Sequence, residues 1–148
     1  MDIDVRLADA RDREALDQFY SREGLDFQAL SSRGMNLPFG ASRETMFIVA
    51  ASNHTVLAAL KLDIGDSKKL GKAGFIQHFE IEDELEGTDL GARMLAKTVE
   101  IVEQKGVRAL DAVVDEKRVD VIQLYLDAGF EERRIEIYLR RDFRAKIF

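Results

Sequence analysis

The sequence predicts an α/β protein, more closely an α+β arrangement in which a central mixed β-sheet is flanked by helices. Three strand-like runs follow one another at residues 45–51, 56–64 and 75–81. A helix-like run, another strand and a second helix come next, in that order. Consecutive strands joined by short turns pair antiparallel, whereas a strand–helix–strand unit joins parallel strands. We therefore expect both kinds of pairing in one sheet.

Length and composition indicate a single domain over residues 1–148, because a chain of 148 residues with 46% apolar and 34% charged residues can bury one sizeable core. The net charge of −6 argues against binding to nucleic acid or to an anionic membrane. With no cysteine and only two histidines, neither thiolate chemistry nor a histidine-built metal site is expected. The N-terminus has no signal-peptide pattern, so the expected location is the cytoplasm.

The N-terminal part begins with alternating apolar and polar residues at 3–7, which predicts a half-buried strand. Asp9 or Asp12 is expected to cap the helix that follows, and Gly24 ends it. Its buried face is marked by three residues at helical spacing: Leu16, Phe19 and Tyr20.

The next part predicts a β-hairpin followed by a further strand. Residues 24–43 have a weak pattern, in which a short helix and a loop are expected. The strands at 45–51 and 56–64 are joined by a polar turn. Residues 65–74 are polar and contain lysines, so they are expected to form a loop before the strand at 75–81.

The C-terminal part alternates helices and strands. Residues 90–104 predict an amphipathic helix. Its apolar face is Leu90, Met94, Leu95, Thr98, Ile101 and Val102. Residues 107–114 are nearly all apolar, as expected for a strand buried on both faces. A helix at 118–128 and one or two closing strands at 130–140 complete the order.

The loop between the strand at 75–81 and the helix at 90–104 combines two opposed features. A glycine-bearing loop at a helix N-terminus presents unpaired N–H groups and the positive end of the helix dipole, which suits phosphate. The segment is nevertheless rich in carboxylates: Glu80, Glu82, Asp83, Glu84, Glu86 and Asp89. Asp89 is alternatively a helix cap. Partial compensation is expected from nearby cations: Lys68, Lys69, Lys72 and Arg93.

Residues 81–91 and 124–130 resemble two motifs of the GNAT superfamily of N-acetyltransferases, and with the strand order the resemblance extends over nearly the whole chain. The first motif has the pattern Val-x-Pro-x-x-Arg-Gly-x-Gly-x-Gly. Gly87, Leu90 and Gly91 agree with it. Three positions depart from it, since Asp83 replaces the proline, Glu86 the arginine and Asp89 a glycine.

The second motif is Leu-Tyr-Leu-Asp-Ala-Gly-Phe at residues 124–130, which resembles the family's Leu-Tyr-x-x-x-Gly-Phe. Val121 stands in the place of the family's alanine and Arg118 in the place of its asparagine. The resemblance implies that Tyr125 is the general acid that protonates a departing coenzyme A thiolate. The other interpretation is that the Tyr125 ring packs on the sheet.

The resemblance implies a GNAT-like acyl-CoA N-acyltransferase fold with acetyl-CoA as the acyl donor. It also implies that strand backbone and the loop hold the coenzyme, through Phe79, Ile81, Glu86, Gly87, Thr88, Asp89, Leu90, Gly91 and Ala92. The expected partner is a small-molecule or peptide amine, with a homodimer left open and no nucleic acid or membrane.

The general base is harder to assign, because side chains alternate along the strand at 75–81. Counting back from Ile81 places Phe79 and Gln77 on the face expected to line the active site, and neither is a base. A β-bulge in this strand would shift the register and bring in Glu80 or His78. Glu80 is therefore the candidate base. The alternative interpretations are that Glu80 is a surface carboxylate and that His78 has only a structural role.

Three functions are consistent with this sequence. The first is an acetyl-CoA-dependent N-acetyltransferase acting on a primary amine. The second is a catalytically inactive binding or regulatory module that has lost coenzyme binding, which Glu86, Asp89 and the uncertain base favour. The third is a protein-interaction module that uses the acidic loop surface.

Overall fold

A computed structural model describes residues 2–31, 43–67, 71–133, 139 and 141 of the chain. The strands are β1 (Asp4–Leu7), β2 (Arg43–Ser52), β3 (Thr55–Ser67), β4 (Gly71–Ile81) and β5 (Ala109–Ala112). The helices within these ranges are α1 (Arg13–Arg22), α2 (Phe27–Ser31), α3 (Leu90–Gln104) and α4 (Val119–Asp127). Helix α3 matches its predicted bounds, because its apolar periodicity is regular from end to end.

The strands form one mixed sheet in the order β1-β2-β3-β4-β5. The pairs β1–β2, β2–β3 and β3–β4 are antiparallel. Strands β4 and β5 pair in parallel, from Ala73 opposite Ala109 to Ile76 opposite Ala112. The predicted mixed sheet and the predicted parallel pair are therefore confirmed.

The prediction of a loop at 65–74 is wrong for most of these residues. Strands β3 and β4 continue into it, with Asp66 opposite Lys72 and Ser67 opposite Gly71. Ladder hydrogen bonds are made by backbone groups, so polar side chains that face solvent do not prevent strand pairing. Only residues 68–70 separate the two strands, and they lie outside the described ranges.

Both faces of the sheet are covered, which gives three layers. Helices α3 and α4 cover one face, where Leu60 and Leu62 of β3 share a core with Met94 and Leu95 of α3. Helices α1 and α2 cover the other face with a core in which half of the buried residues are aromatic. Its members include the predicted Leu16, Phe19 and Tyr20, together with Phe27, Phe47 and Val49.

The junction between β1 and α1 is fixed by carboxylates. The Asp9 side chain accepts a hydrogen bond from the Arg11 backbone N–H at 2.9 Å. Asp12 in turn accepts one from the Asp9 backbone N–H at 2.8 Å, which completes a capping box. The Arg6 guanidinium donates to both carboxylate oxygens of Asp12, at 2.6 and 2.8 Å. Asp9 thus caps the 3₁₀ turn Ala10–Asp12 that precedes α1, whereas Asp12, at the N-cap position of α1, makes no side-chain capping hydrogen bond to that helix.

Strand β5 is shorter and less buried than expected. Its four residues are half-buried or exposed, and Val113 just beyond it is 72% exposed. The backbone N–H of Val107 donates to the Val102 carbonyl at 3.0 Å, so this residue closes α3 instead of starting a strand. Of the closing strands expected at 130–140, residues 130–133 are not in a strand, while residues 134–138 and 140 lie outside the described ranges.

The turn between β2 and β3 provides a test of this part of the fold. Asn53 and His54 have φ of 48° and 66°, as the two central residues of a type I′ turn require. Since glycine adopts positive φ without a Cβ clash, His54→Gly should raise the free energy of unfolding by about 0.5–1 kcal/mol. Urea denaturation measures this change. His54→Val is the matched control and should lower stability; equal stability of the two variants would contradict the assigned turn.

Candidate functional site

A cleft opens where β4 and β5 separate. Their pairing ends at Ile76 and Ala112, although β4 continues to Ile81. The resulting cavity has a volume of about 210 Å³. It is lined by the end of β4, the residues after β5, Arg118 just before α4, and Val121 and Tyr125 of α4. Its polar or ionisable lining includes His78, Glu80, Arg118 and Tyr125. Backbone and side-chain groups from three elements therefore converge beyond the last β4–β5 pair.

A β-bulge lies in β4 beside this cleft. Ala59 of β3 is opposite Glu80 and Lys61 is opposite Gln77, so two residues of β4 occupy the space opposite Leu60. One of them, His78, has a φ of 52°. A positive φ at a residue other than glycine is unfavourable, and it occurs here where the ladder is interrupted. The bulge that the sequence analysis required to bring a base into the site is present.

The bulge changes which side chains share a face. Glu80 and Gln77 lie on the face covered by α1 and α2, because their partners Ala59 and Lys61 lie there. Phe79 packs with Ile76 and Ile81 in the core under α3 and α4. The strict alternation that placed Phe79 beside Gln77 is therefore wrong, since an inserted residue reverses the alternation.

Glu80 lines the cleft and is half-buried. Burial raises the pKa of its carboxyl above the ordinary value of 4.5, because the charged form loses hydration. The positive charge of Arg118 opposes that pKa increase, whereas the negative charges of Glu23 and Glu86 add to it. A carboxylate with a raised pKa is a stronger base than an exposed one, so this site suits proton abstraction.

His78 also lines the cleft, and it is half-buried. Burial and the positive charge of Lys61 lower the pKa of the His78 imidazole, with Asp63 acting in the opposite direction. Lys61 and Asp63 form a buried ion pair, with 3.7 Å between Nζ and Oδ2 and side-chain exposures of 3% and 0%. The imidazole is therefore neutral at neutral pH.

Tyr125 enters the cleft from α4, and its residue is 7% exposed. Its ring makes edge-to-face contacts with Phe79, at 6.3 Å between centroids, and with Phe130, at 5.0 Å. Burial raises the pKa of the phenol, and Arg118 opposes this only in part. The hydroxyl is therefore protonated at neutral pH. Tyr125 therefore packs against aromatic rings and also lines the cleft, so the two interpretations of this residue are compatible.

The loop before α3 has the backbone shape that the sequence analysis expected. A 3₁₀ turn at Asp83–Leu85 is followed by Gly87, whose φ is +82°. Gly91 lies under α4, where an added Cβ would stand 2.8 Å from Leu124 Cδ2 and 3.3 Å from Ile81 Cδ1. Glycine at 91 therefore lets the first turn of α3 approach both α4 and β4.

The predicted cap by Asp89 is wrong, because the Asp89 side chain makes no capping hydrogen bond. Thr88 Oγ1 accepts instead from the Leu90 backbone N–H at 3.3 Å, and it donates to the Leu85 carbonyl at 2.6 Å. The next N–H groups, those of Gly91 and Ala92, belong to the first turn and have no partner within the helix.

The expected compensation by nearby cations is wrong for Lys72, and Arg93 has a backbone partner outside the loop. Arg93 donates to the Ile3 carbonyl at 2.9 Å, which draws its guanidinium toward β1. Lys72 donates to the Lys105 carbonyl at 2.9 Å, beyond the opposite end of α3. Lys68 and Lys69 lie outside the described residues. The side chains of Glu86 and Asp89 in this loop are exposed.

Arg118 is a site residue that the sequence analysis noted only as a departure from a motif. It precedes α4, lines the cleft, and its charge acts on both Glu80 and Tyr125. The signal in the sequence was its position in the asparagine place of the second motif. Its role as a cation could not be recognised there, because that role depends on which charges the fold brings to the cleft.

The acetyltransferase (GNAT) family profile matches residues 9–130, and the chain belongs to this family. The match includes α3, its preceding loop and α4, which carry the features just described. No curated protein matches the sequence closely enough to count as a relative.

Solved structures share the fold at low sequence identity. The ribosomal-protein-alanine N-acetyltransferase from Brucella melitensis biovar Abortus 2308 is 14% identical, with a TM-score of 0.71 over 95% of this chain and 100% of that one. An acetyltransferase from Trypanosoma brucei is 15% identical, with a TM-score of 0.69 over 95% and 100%. An aminoglycoside acetyltransferase from an uncultured soil metagenomic sample is 12% identical, with a TM-score of 0.67 over 95% and 97%.

A membrane-spanning helix must be long and almost wholly apolar. Over the described ranges, no helix is both long enough and apolar enough to cross a bilayer.

The raised pKa of Glu80 gives a pH-dependent prediction. Well below pH 4.5 the carboxyl is protonated in both the folded and the unfolded protein, whereas at neutral pH the charged carboxylate is partly buried only in the folded protein. Glu80→Gln should therefore raise Tm at pH 7, and the gain should shrink as the pH falls toward 4.5. Calorimetry at several pH values measures this. The exposed Glu84→Gln is the control, and a Tm gain from Glu80→Gln that is the same at all pH values would contradict the assigned pKa shift.

Proposed function

We propose that this protein is an acetyl-CoA-dependent N-acetyltransferase that transfers an acetyl group to a primary amine. The observation that carries the proposal is the cleft between β4 and β5, which Glu80 lines from the strand and Tyr125 from α4. A carboxylate and a phenol on two sides of one opening are suited to removing one proton and supplying another. Membership of the GNAT family supports the same reaction class.

The loop and the first turn of α3 fit the phosphates of a coenzyme. Gly87 has the required backbone freedom, and Gly91 and Ala92 supply N–H groups at the positive end of the helix dipole. Exposed Glu86, Thr88 and Asp89 surround this position, and Leu90 anchors the turn in the core. Bound acetyl-CoA would supply the acetyl group as a reactive thioester.

The free edge of β4 fits the thioester carbonyl. Beyond Ile76, the edge of β4 toward β5 has no pairing partner in the described ranges, although the strand runs through Phe79 to Ile81. Backbone N–H groups on such an edge can stabilise negative charge that develops on an oxygen, as in an oxyanion hole. Backbone donors do not depend on side-chain identity, so this contribution is compatible with the altered loop sequence.

In this proposal Glu80 removes a proton from the acceptor amine, because its carboxylate has a raised pKa and lies in the cleft. Tyr125 gives its hydroxyl proton to the departing sulfur, because burial keeps the phenol protonated. Arg118 partly offsets the pKa increase of each group, so that Glu80 can still ionise and Tyr125 can still give up its proton.

The proposed acceptor is a small-molecule or peptide amine. Proteins of the same fold are named for aminoglycosides and for a ribosomal-protein alanine, which are amines of both kinds. Cationic amines also suit a protein with a net charge of −6 and carboxylates at the mouth of its site.

A second candidate is a module that has kept the fold but lost coenzyme binding. The observation in its favour is the loop charge, since Glu86 and Asp89 are exposed while Arg93 and Lys72 bind elsewhere. Each like-charge contact near a surface costs roughly 0.5–1 kcal/mol. Two or three contacts would weaken binding by about one to two orders of magnitude, which handicaps coenzyme binding without abolishing it.

The role of Tyr125 is tested by removing its hydroxyl. Tyr125→Phe should lower kcat by about 10²-fold with little change in acetyl-CoA affinity, because the ring and its contacts remain while the proton donor is lost. Steady-state kinetics and calorimetry measure the two effects. Phe79→Leu, which removes an aromatic contact of Tyr125 but leaves the hydroxyl, is the packing control. Unchanged turnover in Tyr125→Phe would remove this residue from the proposed mechanism.

The loop carboxylates give a second functional prediction. Glu86→Arg combined with Asp89→Gly should tighten acetyl-CoA binding, because two repulsive charges are lost and one attractive charge is gained. The gain should shrink as salt is added, since exposed charges are screened. Calorimetric titration at low and high salt measures both effects. Glu84→Arg with Asp83→Gly, on the 3₁₀ turn before the loop, is the charge-matched control.

The two candidate functions differ in what the natural protein does in the same titration. The enzyme requires measurable binding at low salt that weakens with salt. Absence of binding at millimolar acetyl-CoA would defeat the enzyme proposal and favour the module.

A further inference from the structure

The carbonyl at the bulge is bound by a helix on the opposite side of the sheet from α3. The Tyr20 hydroxyl of α1 donates a hydrogen bond to the His78 carbonyl oxygen at 2.9 Å. Tyr20 is 0% exposed, and the two residues are 58 positions apart in the sequence. The contact therefore joins the core of α1 directly to the residue with positive φ beside the cleft.

Aromatic neighbours hold the Tyr20 ring in place. Phe27 stacks on it at 6.1 Å with an interplanar angle of 7°. Phe19 and Phe47 make edge contacts at 5.4 and 6.1 Å. A ring packed on several sides has few alternative positions, so its hydroxyl is a fixed donor. Burial raises the pKa of the Tyr20 phenol, and the charge of Glu80 adds to this, so the donor proton is retained.

The bulge needs such a partner. His78 adopts a left-handed backbone conformation that a side chain disfavours, and the inserted residue disrupts the ladder between β3 and β4. A conformation of this kind persists only when surrounding contacts determine it. The Tyr20 hydroxyl supplies one such contact, because it donates a hydrogen bond to the carbonyl of His78.

We propose that Tyr20 is a positioning residue whose hydrogen bond to the His78 carbonyl holds the bulge and thereby directs Phe79 and Glu80 to their opposite faces of β4. This inference rests on the proposed acetyl transfer for its effect on activity, but the effect on the bulge itself is independent of that function. Without the hydroxyl, the bulge exchanges with other registers, and Glu80 and the free β4 edge spend less time in their positions at the cleft.

The test is Tyr20→Phe, which keeps the ring and removes only the hydroxyl. The matched control is Thr98→Val, because the Thr98 hydroxyl is also buried and donates to a backbone carbonyl, that of Met94, at 2.9 Å. Each variant loses one side-chain-to-backbone hydrogen bond. Tyr20→Phe should lower Tm by about 2–4 °C, and Thr98→Val should lower it by less, because the Met94 carbonyl keeps its backbone hydrogen bond within α3. Of these two hydroxyls, that of Tyr20 bonds to the bulge, whereas that of Thr98 bonds within α3.

The first measurement is amide hydrogen exchange across residues 77–81, which needs no substrate. Tyr20→Phe should accelerate exchange in this segment about tenfold relative to Thr98→Val, because the bulge opens locally. Equal exchange rates in the two variants would overturn the proposal.

The second measurement is acetyl transfer. Tyr20→Phe should lower kcat about tenfold with less than about twofold change in the KM for acetyl-CoA, because misplaced groups affect the reacting centre more than the coenzyme phosphates. Thr98→Val should keep the kcat of the natural protein. A kcat in Tyr20→Phe equal to that of Thr98→Val would overturn the positioning role. If the natural protein has no turnover, the proposed function fails, and the exchange experiment still decides whether Tyr20 holds the bulge.

Discussion

The site depends on the β-bulge at His78. Without the inserted residue, Glu80 would share a face with Ile76 in the core, and Phe79 would not reach the ring of Tyr125. The bulge stands just beyond the last pair between β4 and β5, so the change of side-chain direction coincides with the opening of the cleft. One local irregularity thus brings a carboxylate, a phenol and a free strand edge to one place. At the bulge, the Tyr20 hydroxyl of α1 donates a hydrogen bond to the His78 carbonyl oxygen.

The loop before α3 keeps the backbone features of an anion site while its side chains oppose an anion. Gly87 and Gly91 are retained where positive φ and close packing require glycine. Exposed Glu86 and Asp89 have no such constraint, so the fold tolerates them at no cost in packing. This separation explains how the chain can belong to the GNAT family with an acidic motif. The shape of the loop is set by glycines, whereas its charge is set by exposed side chains.

The sequence predicted those features that local pattern determines, and it failed where tertiary contacts decide. The bounds of α3 and the parallel pairing of β4 with β5 followed from apolar periodicity and element order. The bulge was expected only as an option, because its position depends on the register with β3. The destination of the Arg93 side chain is the carbonyl of Ile3, 90 residues away in sequence, and no local pattern contains that contact. Thr88 was not predicted as the cap, because Asp89 directly precedes the helix and aspartate is a common capping residue.

The central claim is that the first turn of α3 still binds the coenzyme phosphates despite the loop carboxylates. The most direct measurement is a series of amide NMR spectra of the natural protein at low salt, recorded as acetyl-CoA is added. The claim predicts large shifts for the amides of Gly87, Gly91 and Ala92, where the phosphates bind, and for Phe79 at the strand edge. Unchanged spectra at millimolar coenzyme, or shifts confined to residues away from the cleft, would contradict it.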